Sequence, residues 1–326
     1  MRKDTQKKPT QGQIRLRRTL IDLSPLFGLV LCVAVFALLT GGDSLSARNI
    51  TNIISQFIIT CLVAIGAVFP FSAGALDMSL SGSMCLSAVS GALAGVATQN
   101  AVVMIVVTVA VSILIALLKG IVSAYLDLPV FIVTIVLSSV LSAVALFMMG
   151  NQTTVSIRKL LNVPGQTMNV LNVIFVATFF LIALFLFNYT KLGKSAKLQG
   201  GNPLASAQSG INGKKVMIQS FLLGGVGVAL AALVSMLSTK TVTSTTGGSV
   251  GTNILVALVL GGMPLSGGPR SRISAALIGS LIITVLNNGL TVMGMDVGSV
   301  QSIRSIIFLV VVYVTSMTYR TRYLPR

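Results

Sequence analysis

The 326-residue sequence has no histidine, no glutamate and no tryptophan, and only 9% of its residues are charged. Without histidine and glutamate the chain lacks the commonest general acid and base and the commonest metal ligand, which argues against hydrolytic or redox chemistry and against a metal or cofactor of its own. Cysteine is scarce too. Cys32, Cys61 and Cys85 lie far apart inside apolar runs with no Cys-x-x-Cys spacing, so they read as small buried hydrophobes rather than a disulfide or zinc framework. A water-facing domain carries about 25% charged residues, so a chain this poor in charge must turn most of its surface toward lipid. Acids are scarcest of all: 6 aspartates stand against 23 lysines and arginines, a net charge of +17. In a soluble protein that balance would suggest nucleic acid. Here the basic residues punctuate long apolar runs, so they report membrane topology and no nucleic-acid partner is expected.

What remains is hydrophobic, 54% of the chain. A bilayer core of about 30 Å needs roughly 20 apolar residues per helix. Ten such stretches are expected, at 22–40, 50–72, 83–99, 102–124, 129–149, 169–188, 217–238, 253–268, 273–293 and 303–319. The third and eighth are short and broken by small residues. Arg15, Arg17 and Arg18 precede the first, but its apolar run is longer than a signal core and it reads as an uncleaved span. With the N-terminus inside, 18 basic residues fall on the cytoplasmic side, Lys119 at a helix end among them, and five outside. The expected organisation is a basic cytoplasmic tail over 1–19, one transmembrane domain over 20–319 with a cytoplasmic loop at 189–217, and a cytoplasmic tail over 320–326.

That loop hides a short helix. Asn202 is a favoured N-cap, Pro203 suits the first helical position, and Gly210 can adopt the left-handed conformation that stops it. Leu204, Ala207 and Ile211 fall on one face at helical spacing, and so short a helix must be held by packing on a partner or on its own membrane domain. An ordered connector and a docking element both fit.

Two clusters of small residues interrupt the spans, Gly74 to Ser83 and Gly261 to Gly268, and Met78-x-Leu80-Ser81-Gly82 is echoed by Met263-x-Leu265-Ser266-Gly267. Paired interruptions in two halves of a transporter mark broken helices near the permeation path, whereas small residues also let helices pack closely, as the Gly91 and Gly95 spacing would. Asp77 is the one carboxylate expected at membrane depth and has no evident partner; it reads as a cap accepting backbone N–H bonds from the residues after it, in preference to a proton carrier. Gly193-Lys194-Ser195 and Gly213-Lys214-Lys215 contain part of a phosphate loop, but Asn188 and Gln208 stand where its first glycine belongs, so any ATP is handled by another subunit.

Taken together, Gly74-Ala75-Leu76-Asp77-Met78-Ser79, Gly200-Gly201-Asn202-Pro203 through Ala207 to Gly210-Ile211, Leu260-Gly261-Gly262-Met263-Pro264-Leu265-Ser266-Gly267-Gly268 and Asn287-Asn288-Gly289-Leu290 resemble the membrane permease subunit of ribose-type monosaccharide ABC importers. The likeness covers roughly 50–318. It implies an all-α polytopic membrane protein of about ten transmembrane helices, pseudo-symmetric and type II-like, in a bacterial inner membrane with both termini cytoplasmic. Its partners would be two ATP-binding cassette subunits, a second permease subunit, identical or similar, and an extracytoplasmic solute-binding protein.

The resemblance assigns ATPase coupling to Gly201, Asn202, Pro203, Leu204, Ala205, Ser206, Ala207, Ser209, Gly210 and Ile211. With the glycine clusters it points to Asp77, Ser79, Ser81, Gly82, Gly261, Gly262, Leu265 and Ser266 as the pathway. The sequence departs from the family where an acidic Glu-Leu-Asp-Ala-Ile run is replaced by Gly251-Thr252-Asn253-Ile254, and where Met263 replaces threonine. Those departures bear on the solute, for which a nucleoside or an autoinducer-type pentose derivative is the alternative. A carrier driven by an ion gradient, and a membrane scaffold, are the readings of other classes.

Overall fold

The computed structural model describes residues 11–126, 128–160 and 165–320. The tail expected over 1–19 lies largely, and the segment after 320 wholly, outside them. Twelve α-helices are described: α1 (Gln11–Leu39), α2 (Ala47–Ser72), α3 (Leu80–Thr98), α4 (Ala101–Tyr125), α5 (Val130–Met149), α6 (Gly165–Tyr189), α7 (Lys191–Gly201), α8 (Pro203–Gln208), α9 (Gly213–Thr239), α10 (Val250–Leu260), α11 (Ser274–Val292) and α12 (Val297–Arg320). Ten of them overlap the ten expected apolar stretches, α10 following the eighth only as far as Leu260. Among the described residues seven are long and apolar enough to cross a membrane, whereas the apolar parts of α1 and α12, and the whole of α10, are shorter. The expectation of all-α structure also needs a small amendment. Thr154–Ser156 (β1) pairs antiparallel with Thr241–Thr243 (β2), Val155 opposite Val242, tying the α5–α6 connection to the α9–α10 connection.

Side-chain caps set several helix starts. The Ser46 hydroxyl caps α2 through the Asn49 N–H, Asn100 caps α4 by accepting from Val102 at 2.8 Å, and Asn212 caps α9 through Lys215 at 3.1 Å. Each satisfies amide donors that the first helical turn leaves open. α9 packs against both α4 and α2, and α3 lies against α4 and α5. These contacts are close because small residues line them. A Cβ on Gly66 of α2 would come within 2.8 Å of the Leu223 carbonyl of α9, and one on Gly91 of α3 would collide with Thr108 of α4. The expected role of Gly91 and Gly95 as packing residues therefore holds. α2, α3, α9 and α11 are largely buried, whereas α5 and α6 leave Ile135, Val136, Phe147, Leu181 and Phe185 exposed, an apolar surface suited to lipid.

Candidate functional site

The first interruption is a break in the helical path. Pro70 sits two residues before the end of α2, Gly74 turns the chain, and residues 75–79 run without helix before α3 begins at Leu80. Irregular backbone inside a bilayer survives only where protein satisfies its polar groups. Thr134 of α5 does so, accepting from the Met78 N–H at 3.1 Å and donating to the Leu76 carbonyl at 3.2 Å.

Asp77 is not without a partner. The Lys119 ammonium of α4 lies 2.7 Å from its Oδ2, and their side chains are 1% and 2% exposed for Lys119 and Asp77. The other carboxylate oxygen accepts from the Ser79 N–H at 2.9 Å and its hydroxyl at 2.6 Å. The expected acceptance of following N–H groups is thus present in the turn before α3, while the expected isolation is corrected. Lys119 also donates to Ser83 and sits 5.7 Å from the Phe221 ring centre. It is therefore a buried partner inside α4, not a cytoplasmic charge at a helix end. The signal was available, because a lysine inside the 102–124 run is itself a costly group that asks for a partner.

The second broken element is α10, only 11 residues long. Gly251 in its first turn abuts the other break, since a Cβ there would come 3.3 Å from the Met78 carbonyl and 3.4 Å from the Ser81 hydroxyl. The N-terminal ends of α3 and α10 therefore meet. Around them Ser81 bonds Ser138 of α5 at 3.3 Å, and Ser249 and Thr252 are exposed. A narrow crevice between α2, the break and α10 is lined by Ala67, Phe71, Asp77, Leu80, Ile254 and Leu258.

The structure divides the expected pathway residues. Asp77, Ser79, Ser81 and Gly82 belong to the first break, Gly82 lying tight on the Ser138 backbone. Gly261, Gly262, Leu265 and Ser266 belong to the irregular connection from α10 to α11, with Gly261 packed on Ala275 and Gly262 facing Pro25. The echoed five-residue pattern has different structures in its two copies, a helix start in one and an irregular turn in the other.

The loop helix forms as the sequence predicts. Asn202 Oδ1 accepts from the Ala205 N–H at 3.1 Å, Pro203 opens α8, and Gly210 takes a φ of +76°. Leu204 is 78% exposed, whereas Ser206 is buried and Ile211 packs into a small cluster with Ala73, Ala196 and Val216. The expected face of Leu204, Ala207 and Ile211 is therefore split between solvent and protein, because Ile211 follows the helix stop. α7 was not foreseen from the sequence. It ends at Gly200 and Gly201, where three separate segments converge. The Gly268 N–H donates to the Ser72 carbonyl at 2.8 Å, a Cβ on Gly200 would collide with that carbonyl and lie 2.9 Å from Gly268 N, and Gly268 holds a φ of +89°. Any side chain on Gly200 would push apart the end of α2, the base of α8 and the connection into α11.

Apolar helices interrupted by two breaks, with a short capped helix at one end, are the architecture of a polytopic membrane permease. The chain belongs to the family described as branched-chain amino acid transport system, permease component, which matches residues 49–316. It is 26% identical over 303 residues to the ribose import permease protein RbsC of Escherichia coli strain K12, covering 90% of this chain and 94% of that one. Identity to RbsC of Bacillus subtilis strain 168 is 30% over 323 residues, 95% and 97% of the two chains. The fructose import permease protein FrcC of Rhizobium meliloti is 27% identical over 287 residues, 83% and 79% of the two chains. No solved structure matches.

Proposed function

We propose that this chain is the membrane-spanning subunit of an ATP-driven importer that brings a monosaccharide into a bacterial cell. Relatives named for ribose and fructose import support the solute class. The observation that carries the mechanism is the junction of α7 and α8 with both breaks. α8 holds Leu204 out for a partner, and its base is wedged between Ser72 and Gly268, so displacement of α8 is passed to the ends of the broken elements.

In this reading two permease subunits, identical or similar, enclose the path along the surface that carries Ser81, Ser138 and Thr252. Two ATP-binding cassette subunits receive α8 on the cytoplasmic side, and a solute-binding protein delivers from the other. Asp77, Ser79, Ser81 and Gly82 hold the first break at the path, while Gly261, Gly262, Leu265 and Ser266 transmit movement from α8. Both termini are cytoplasmic, in keeping with the basic loops. The chain contributes no bond-making chemistry; ATP is hydrolysed by its partner.

A carrier driven by a proton gradient would need Asp77 to exchange a proton, which would break its pair with Lys119. The deciding measurement is uptake by vesicles containing the permease, its ATPase and its binding protein. Pentose or hexose uptake that requires ATP on the cytoplasmic side and survives collapse of the proton gradient is expected. Uptake by the permease alone, driven by an imposed pH gradient, would refute the reading.

A further inference from the structure

At the start of α10 the structure holds a second buried cation, and this one has no acid partner among the described residues. Arg304 of α12 is only 5% exposed. Its guanidinium donates to Asn253 Oδ1 and, at 3.3 Å, to the hydroxyl of Thr252. Asn287 of α11 donates to the same Asn253 oxygen at 3.4 Å, while its own carbonyl oxygen is buried without a partner. Two donors thus share one neutral acceptor. Among the described residues no carboxylate lies within ion-pair distance of Arg304; Asp77 is held by Lys119, and Asp296 is engaged by Gly298 and Ser299.

An amide oxygen accepts hydrogen bonds but cancels no charge, so the cost of holding a guanidinium away from water is only partly offset. A charge kept in this state within a membrane domain defaults to a functional role. Its position supplies one. Thr252 is exposed, so the guanidinium lies one side chain beneath the polar surface formed with Ser249, and Gly251 beside it abuts Met78 and Ser81. The planar fork of arginine is suited to two-point contact with a carboxylate or phosphate, whereas a neutral sugar leaves its charge uncompensated.

We infer that Arg304, presented through Asn253 and Thr252, is a specificity-determining group that receives the anionic group of an acidic monosaccharide, either a carboxylate or a phosphate. This rests on the importer reading and narrows it to solutes that carry negative charge. A neutral sugar would still find hydroxyl partners here, but would pass without neutralising Arg304.

The test uses the assembled complex in vesicles with three radiolabelled probes: D-ribose, D-glucuronate and D-ribose 5-phosphate. ATP-dependent uptake of at least one anion should exceed that of ribose. Asn253→Asp places a permanent counter-ion on the guanidinium and Arg304→Gln removes the charge, and each should lower anion uptake by about tenfold or more while changing any ribose uptake much less. The melting temperature of the purified chain separates this from a folding defect, since Asn253→Asp supplies the missing charge and should not lower it. Uptake of glucuronate alone identifies the carboxylate, and of the phosphate ester alone the phosphate; either supports the inference. ATP-driven uptake of ribose only, with the same preference in both variants, would overturn it and leave the importer reading intact. ATP-independent uptake of the probes would overturn both.

Discussion

Lys119 and Asp77, 42 residues apart in sequence, form a buried ion pair of 2.7 Å that fixes the break between α2 and α3 to the side of α4. The pair positions the irregular segment, because both carboxylate oxygens are occupied, one by Lys119 and one by Ser79.

Removing one partner should therefore be costly. Lys119→Met leaves a buried carboxylate without its cation, and loss of one member of such a pair typically destabilises by about 3–5 kcal/mol. Asp77→Asn strands the ammonium in the same way. The double variant should recover much of the loss, which thermal unfolding of the four chains in detergent would register as a positive coupling energy. Additive losses would mean that the two side chains do not interact.

At the glycine junction, Gly200→Ala inserts a methyl group against the Ser72 carbonyl, and overpacking of that kind costs about 1–3 kcal/mol. With α8 as the proposed coupling element, binding of a partner ATPase should persist while substrate-stimulated hydrolysis and uptake both fall. Gly210→Val, at a φ of +76°, should cost about 1 kcal/mol or more and distort α8 in parallel. Normal uptake with altered solute preference in either variant would count against α8 as the coupling element.

Topology can be read by thiol labelling in a chain from which Cys32, Cys61 and Cys85 have been removed. Leu204→Cys and Thr245→Cys place thiols at exposed positions, the first on α8 and the second beyond β2. An impermeant reagent is expected to reach them from opposite sides of the membrane. Labelling of both from one side would remove α9 as a spanning helix.

The other ends of α2 and α11 are joined by two amides. Asn49 and Asn288 exchange hydrogen bonds of 2.7 and 3.0 Å while buried. Asn49→Leu should destabilise by about 1–3 kcal/mol because it leaves the Asn288 amide unsatisfied, and Asn288→Leu should act similarly. Differential scanning fluorimetry would show the loss.

What the sequence by itself determined about this protein is local. The apolar runs specify helices, Asn202 with Pro203 starts α8, Gly210 stops it, and Gly91 with Gly95 permits a close helix crossing, because period, capping and side-chain size act over a few residues. Motifs spread along the chain also carried its family. Tertiary structure alone decided which distant groups meet. No periodicity links Asp77 to Lys119, Arg304 to Asn253, or Gly200 to Ser72 and Gly268, since each pairing depends on how separate helices cross. The same holds for the eighth apolar stretch, read as residues 253–268 but helical only from Val250 to Leu260. Its glycines and proline are apolar enough to extend the run, yet packing against the end of α2 and the base of α8 folds them into an irregular connection instead.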